Sequence, residues 1–293
     1  MHLDRFLIEP IVRRALEEDL GFGDITTNSI IDENAWIEGF FISREKAIVA
    51  GQAVVNLTYE LLDDEIQITW LEQEGRWLEA GTRIGEIRGP GRPILSGERV
   101  ALNFLQAMSG IATATARLVD KIRGTGAKIT DTRKTTPGLR LLEKYAVTIG
   151  GGYNHRFNLS DAVLIKDNHI VAAGSIGAAV ARVRRNLGHT VKIEVEAENA
   201  REVEEALAAG VDIIMLDNME PPQIKEMVRL IGGRALIEAS GRMGETTIRQ
   251  VAEAGAGFIS VGAITHSAPG VDMSLEVTGL SCSANVLKPN PHI

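Results

Sequence analysis

The second half of the chain repeats one pattern, in which a short apolar run ends in a polar, charged or glycine residue and a helix-like segment follows. Continuous apolar runs of this kind are typical of parallel strands that helices cover on both faces. After residue 125 the runs end at Arg133, Lys166, Glu196, Asp217, Ser240 and Gly262. The repeat therefore predicts an α/β fold, either a closed barrel or an open doubly wound sheet.

The barrel is the favoured alternative, because nearly every run ends in a residue that can carry function. An α/β barrel gathers its active site from the carboxyl ends of several strands, whereas an open sheet binds its ligand mainly at one switch point. We therefore expect the side chains at these ends to converge on one site.

The first part of the chain has a different sequence pattern. Residues 5–20 have helical spacing and Gly21 is their expected stop, while strand-like pieces and the helix-like Gln52–Leu62 fill residues 25–95. The stretch Gly89–Pro93 is a strong breaker, so we predict a long helix that opens at Ser96 or Gly97 with Arg99 in its first turn. This predicts an α/β domain over 1–96 and the barrel over 97–269.

Composition excludes several classes of protein. The net charge of −8 argues against a nucleic-acid partner, which needs a basic stripe. The single cysteine, Cys282, excludes an intramolecular disulfide framework and suits a reducing cytoplasm. No apolar run approaches the length of about 20 residues that spans a bilayer, and no secretory signal is recognisable.

Cationic residues concentrate within 131–169 of this acidic chain. Arg133 and Lys134 lie between an apolar segment and a Pro-Gly turn, and His155-Arg156 and Lys166 follow. Arginine matches carboxylates and phosphates with two parallel hydrogen bonds, so these residues predict a site for several anionic groups. Two other interpretations remain open: scattered surface charge, and a Schiff-base lysine at Lys166.

Acidic and small residues end the later strands. Glu196 and Asp217 end consecutive strands, so their carboxylates are candidates to bind Mg²⁺ or to contact the substrate. The alternative is that these acids cap the following helices or pair with nearby cations. Ser240-Gly241 and Gly262-Ala263 sit where barrels often bind phosphate, although small residues also simply permit tight turns. His155, His169 and His266 lack the spacing of zinc ligands, and the common nucleotide-binding and hydrolase motifs are missing from the sequence.

Taken in order, the motifs resemble those of the quinolinate phosphoribosyltransferase family. The resemblance spans nearly the whole chain, from Glu18–Asp24 onward, and rests on Asp131–Gly138, Asn154–Arg156, Leu164–His169, Glu194–Glu196, Leu216–Asn218 and Val261–Ser267. It implies an N-terminal α/β sandwich, which segment 270–293 joins, and an incomplete TIM-type α/β barrel of about seven strands. It also implies a homodimer, possible higher oligomers, and Mg²⁺-dependent conversion of quinolinate and phosphoribosyl pyrophosphate to nicotinate mononucleotide, pyrophosphate and CO₂ in NAD synthesis.

The resemblance also assigns roles to single residues. It implies that Arg99 reaches into the partner's site and that Lys134 assists the leaving pyrophosphate. The residues implied to hold quinolinate or lie beside it are Thr132, Arg133, His155, Arg156 and Lys166, and those implied at the ribose and metal are Glu196 and Asp217. The phosphate end is implied to comprise Ser240, Gly241, Arg242, Gly262, Ala263 and His266, with Arg242 a departure from the family pattern.

Three rivals are kept beside this interpretation. A paralogous family associated with molybdenum uptake transfers phosphoribose to another acceptor, but Arg99, Arg133, Arg156 and Lys166 favour a dicarboxylate. An aldolase that acts through Lys166 is the second rival. The third is a binding or scaffold protein on the same fold, which would lack catalytic residues that this chain retains.

Overall fold

The computed structural model of the chain describes residues 2–241 and 247–282, with the backbone alone for Ser281 and Cys282. These residues form two compact units. The first comprises the described residues of Met1–Thr113, Pro137–Ile149 and Ala268–Ile293, and the second those of Ala114–Thr136 and Gly150–Ser267. Neither unit is a single stretch of sequence. The domain limits expected at residues 96 and 269 stay a prediction.

The helices and strands alternate along most of the chain. As far as Lys121 the elements are α1 Arg5–Leu20, α2 Ile25–Ile30, β1 Ala35–Ser43, β2 Ala47–Ile48, α3 Gln52–Glu60, β3 Gln67–Trp70, β4 Trp77–Leu78, β5 Arg83–Pro90 and α4 Gly91–Lys121. From residue 128 they are β6 Lys128–Thr130, α5 Arg140–Ile149, β7 Val163–Ile165, α6 Asp167–Ala173, α7 Ile176–Asn186, β8 Ile193–Ala197, α8 Ala200–Ala208, β9 Ile213–Asp217, α9 Pro221–Ile231, β10 Leu236–Ser240, α10 Ile248–Glu253, β11 Phe258–Ser260, α11 Ala263–His266 and β12 Met273–Cys282.

The first unit is built on an antiparallel sheet with the strand order β12-β1-β5-β3. Alternation along β1 sends Phe41 to a core that it shares with Ile84 of β5 and Leu102 of α4, each no more than 2 % exposed. The predicted first helix is confirmed as α1. The Asp4 carboxylate accepts from the Phe6 amide at its start, and Gly21 ends it with a φ of 51°.

The prediction that the long helix opens at Ser96 or Gly97 is wrong. The helix α4 begins at Gly91, directly after β5, so Pro93 lies within its first turn. Proline is tolerated there because the first amide groups of a helix have no partner within the helix. Arg99 is therefore an exposed residue well inside α4 rather than one in its first turn.

The second unit holds six parallel strands in the order β6-β11-β10-β9-β8-β7. The last strand of the series, β11, pairs with the first, β6, through Ile259 and Ile129. This return of the last strand to the first is the arrangement of a barrel, and an open doubly wound sheet places its first strand inside instead. Tyr153 forms a single parallel bridge with Thr130 on the other side of β6. In the described part of the chain no strand pairing joins Tyr153 to β7, so the barrel is incomplete, as predicted.

Helices cover the outer face of this barrel, as the repeat predicts. Ser175 and Asn199 cap α7 and α8 by accepting from backbone amides. None of the helices in the described ranges is both long and apolar enough to cross a membrane.

A glycine inside α4 offers a test of the packing in the first unit. A Cβ atom at the buried Gly110 would overlap the carbonyl oxygen of Pro269, so Gly110→Ala should destabilise the protein by about 1–3 kcal/mol. Gly177, near the start of α7, is the matched control, because its added Cβ would meet only Glu205 Oε1 at 4.0 Å. Urea unfolding measures both variants. Equal midpoints for the two would contradict the contact between α4 and Pro269.

Candidate active site

A cavity of about 320 Å³ opens at the carboxyl ends of the barrel strands. Side chains two residues apart on a strand point the same way, and the lining follows this rule in two layers. Leu164 on β7 and Glu238 on β10 form the deeper layer. Lys166, directly after β7, and Ser240, at the end of β10, each come two residues later and lie nearer the rim. The full lining is Thr132, Arg133, Lys134, His155, Arg156, Leu164, Lys166, Met215, Glu238, Ser240 and Ser260.

Asp131, directly after β6, positions the segment that carries His155. Its side chain is fully buried. One carboxylate oxygen accepts from the His155 amide at 2.9 Å and the other from the Asn154 side-chain amide at 2.6 Å. Backbone hydrogen bonds between Tyr153 and residues 129 and 131 hold the same segment against β6. A carboxylate that accepts two amide hydrogen bonds is a strong anchor, so His155 has one defined place.

The hydrogen bonds of His155 define its tautomer. Its Nδ1 atom accepts from the Arg156 amide at 2.8 Å, so Nδ1 carries a lone pair and the proton lies on Nε2. Nε2 then faces Glu194 Oε2 at 3.0 Å and Glu238 Oε1 at 3.5 Å. Nε2 is therefore a donor toward two buried carboxyl groups.

Glu194 and Glu238 lie below the rim on β8 and β10, with side chains only 4 % and 6 % exposed. Burial, and after it the charge of Glu194, raises the pKa of Glu238 to about 7, while His155 opposes the shift. Oε1 of each acid has no hydrogen-bond partner among the described residues. With an ordinary glutamate pKa of about 4.3 as reference, Glu238 holds a proton to a far higher pH.

Two guanidinium groups face the cavity beside these acids. Burial and the nearby charge of Arg133 lower the pKa of Arg156, whose guanidinium donates to the carbonyl of Ala162 at 2.9 Å. Arg133 Nε is buried and lacks a hydrogen-bond partner in the described ranges. Two neighbouring cations with unused donor capacity suit a ligand with two carboxylates.

Lys166, directly after β7, and Glu196, on β8, form an ion pair at the rim. An ammonium group that donates to a carboxylate differs from the neutral amine that Schiff-base chemistry needs, which speaks against the aldolase alternative. On the neighbouring strand, Asp217 Oδ2 accepts from the Asn218 side chain at 2.6 Å.

Two groups of residues merit comparison as metal ligands. His155, Glu194 and Glu238 place ligand atoms within 4.8 Å of one another. That group is a poor metal site, because the only lone pair on the His155 ring already accepts the Arg156 amide. Glu196 and Asp217 are partly exposed carboxylates on adjacent strands, a donor set that fits Mg²⁺.

The end of the site after β10 and β11 is closely packed. A Cβ at Gly241 would meet Asn218 Oδ1 at 2.6 Å, and one at Gly262 would meet Lys134 Cδ at 3.1 Å and His266 Nε2 at 3.3 Å. Glycine at position 262 thus lets Lys134 and His266 approach the same backbone. Ala263 begins the short helix α11, and Thr265 Oγ1 donates to the carbonyl of Lys134 at 2.7 Å.

The structure brings seven of the expected site residues together at this cavity. The cavity gathers Thr132, Arg133, Lys134, His155, Arg156, Lys166 and Ser240. Arg99 belongs to the first unit, and Arg242 lies outside the described residues.

Sequence reasoning assigned no role to the buried acids Glu194 and Glu238 or to the anchor Asp131. A signal for the two glutamates was present, because each stands two residues before a strand-end residue already chosen, Glu196 and Ser240. The strand period of two puts each glutamate on the same face, one layer deeper. An acid inside an apolar run is expensive to bury and marks a site of this kind.

Comparison with known protein families gives two matches that together cover most of the chain. Residues 24–109 match the quinolinate phosphoribosyl transferase N-terminal domain, and residues 111–276 match the C-terminal domain of the same family.

Individual relatives agree over almost their full length. The chain is 42 % identical to the probable nicotinate-nucleotide pyrophosphorylase [carboxylating] of Bacillus subtilis, over 94 % of this chain and 95 % of the relative. It is 40 % identical to the chloroplastic nicotinate-nucleotide pyrophosphorylase [carboxylating] of Arabidopsis thaliana, over 92 % of this chain and 82 % of that one. The crystal structure of NadC from Streptococcus pyogenes superimposes with a TM-score of 0.92 at 44 % identity, over 96 % of this chain and 99 % of that one. The chain therefore belongs to the quinolinate phosphoribosyl transferase family.

Proposed function

We propose that the chain is the carboxylating phosphoribosyltransferase that joins quinolinate to phosphoribosyl pyrophosphate and gives nicotinate mononucleotide, pyrophosphate and CO₂ for NAD synthesis. The observation that carries this proposal is the pair Arg133 and Arg156 at one cavity, with Arg133 Nε buried and without a partner among the described residues. A pyridine with two adjacent carboxylates uses both guanidinium groups. Family membership supports the same reaction.

The chemistry follows from the substrates. The pyridine nitrogen attacks the anomeric carbon of the ribose while pyrophosphate departs, so positive charge develops on the sugar and negative charge on the leaving group. Lys134, beside Gly262 and His266, stabilises the departing charge, and Glu196 and Asp217 hold the ribose hydroxyls. Ser240, Gly241, Gly262 and Ala263 give the phosphate close access to backbone amides.

Mg²⁺ is part of this proposal, and Glu196 and Asp217 are the residues that would hold it. Bound Mg²⁺ supplies positive charge to the leaving pyrophosphate. Lys166 pairs with Oε2 of Glu196, and the Asn218 side chain donates to Oδ2 of Asp217, so one oxygen of each carboxylate is already engaged.

The wider assembly extends the proposal. We place the enzyme in the cytoplasm as a homodimer, in which the exposed Arg99 of one copy enters the site of the other. A cation contributed in this way adds to the dicarboxylate site. The molybdenum-associated alternative predicts another acceptor, and assays with quinolinate and with nicotinate distinguish the two proposals.

Removing either guanidinium should weaken the reaction strongly. Each charge-assisted contact to a carboxylate contributes roughly 1.5–3 kcal/mol, so Arg133→Ala or Arg156→Ala should raise the quinolinate KM or lower kcat at least about tenfold. Arg185→Ala, an exposed arginine on α7, is the matched control and should change neither constant. Steady-state assays of pyrophosphate release measure all three variants. Near-normal kinetics in both site variants would overturn the assignment.

Mixing inactive chains tests the shared site. An Arg99→Ala chain and a Lys134→Ala chain, each inactive alone, should regain activity as a heterodimer, because one of its two sites then has both residues intact. Heterodimers are isolated with two affinity tags and assayed for nicotinate mononucleotide. A purified heterodimer as inactive as its parents would exclude a contribution of Arg99 across the interface.

Asp217→Asn tests the metal assignment. Loss of the carboxylate charge should raise the Mg²⁺ concentration for half-maximal activity about tenfold or more, since Mg²⁺ prefers charged oxygen ligands. Titration with Mn²⁺, followed by its paramagnetic resonance in the presence of phosphoribosyl pyrophosphate, reports binding separately from turnover. An unchanged metal requirement would remove Asp217 from the metal site.

A further inference from the structure

The buried acid Glu238 occupies a position that the roles assigned so far do not use. Its side chain lines the floor of the cavity beneath the cationic rim, and only 6 % of it is exposed. A buried carboxylate normally accepts several hydrogen bonds. Glu238 Oε1 accepts none from the described residues and faces His155 Nε2 at 3.5 Å.

The surroundings of Glu238 favour its acid form. Burial is the main cause, and the negative charges of Glu194 and Asp131 add to it, so the pKa of Glu238 rises to about 7. His155 opposes this shift, and its Nδ1 accepts the Arg156 amide. The other charged groups that line the same cavity are cations at its rim: Arg133, Lys134, Arg156 and Lys166.

The proposed reaction needs an acid at this depth. When the ring nitrogen has become quaternary, loss of CO₂ leaves an electron pair on the adjacent ring carbon, and a proton must replace the lost carboxyl group. Guanidinium groups are too weakly acidic to give up a proton, the Lys166 ammonium donates to Glu196, and Lys134 is the residue proposed to stabilise the departing pyrophosphate. Glu238 is the remaining acid among the charged groups of the lining.

We propose that Glu238, in its acid form, protonates the ring carbon that loses CO₂. This inference rests on the proposed function. The bond between ring carbon and carboxyl carbon breaks, its electron pair stays on the ring, and CO₂ leaves. The O–H bond of Glu238 then breaks as the new C–H bond forms. The resulting carboxylate lies beside His155 Nε2–H and regains its proton from water.

Glu238→Gln tests the inference, because an amide keeps the shape of the side chain and removes the acidic proton. Loss of a general acid costs roughly 100-fold or more, so kcat should fall by about that factor while quinolinate still binds. In a single turnover, pyrophosphate should appear at the normal rate and nicotinate mononucleotide should lag. Quinolinate binding and thermal melting are measured on the same sample to verify the fold.

The pH profile distinguishes proton donation from a packing role. Since the acid form is the active one, kcat of the unaltered chain should fall as pH rises through about 7. Glu194→Gln is the matched control: it removes the charge that raises the pKa of Glu238, so the fall should move to lower pH. Glu238→Asp should keep the fall, because it keeps an acid.

Two results would overturn the inference. One is formation of nicotinate mononucleotide by Glu238→Gln at a rate within twofold of that of the unaltered chain. The other is a fall near pH 7 that persists in Glu238→Gln or disappears in Glu238→Asp. Failure of the unaltered chain to release pyrophosphate with quinolinate would overturn the proposed function instead, so the two failures are distinguishable.

Discussion

The buried carboxylate of Asp131 holds together the part of the barrel that strand pairing leaves open. Among the described residues no pairing joins Tyr153 to β7, and side chains connect this region instead. Asp131 accepts from the His155 amide, and the His155 ring in turn faces Glu194 on β8. A connection from β6 to β8 thus passes through hydrogen bonds rather than through a backbone ladder. His155, which lines the cavity, is therefore also a structural bridge.

The site combines two layers of opposite charge. Arginine and lysine side chains line the rim, and Glu194 and Glu238 lie beneath them. Neither layer would be favourable alone, because a cluster of like charges in a partly buried place is unstable. Together the layers lower each other's electrostatic cost, and the floor retains one proton where the rim attracts anions. Binding and proton supply therefore depend on the same arrangement of charges.

The sequence predicted the barrel and most of its rim because both depend on local periodicity. Strand ends such as Lys166, Asp217 and Ser240 follow apolar runs directly, and the structure places them there. The start of α4 was predicted too late, since Pro93 looks like a breaker but tolerates a first helical turn. The buried pair Glu194 and Glu238 was not predicted, because one glutamate inside a strand does not reveal that a glutamate from a different strand lies beside it. Such pairs depend on how distant strands are ordered.

The pairing of β12 with β1 has a consequence for how the chain acquires its structure. Ala35 lies opposite Cys282 and Ser43 opposite Met273, so residues far apart in sequence complete one sheet. On a ribosome, the strands of the barrel emerge before the outer strand of the first sheet exists. Until then β1 presents an unpaired edge, which is the kind of edge that invites pairing with other chains. A strand that is made after the barrel thus protects the edge of a strand that is made before it.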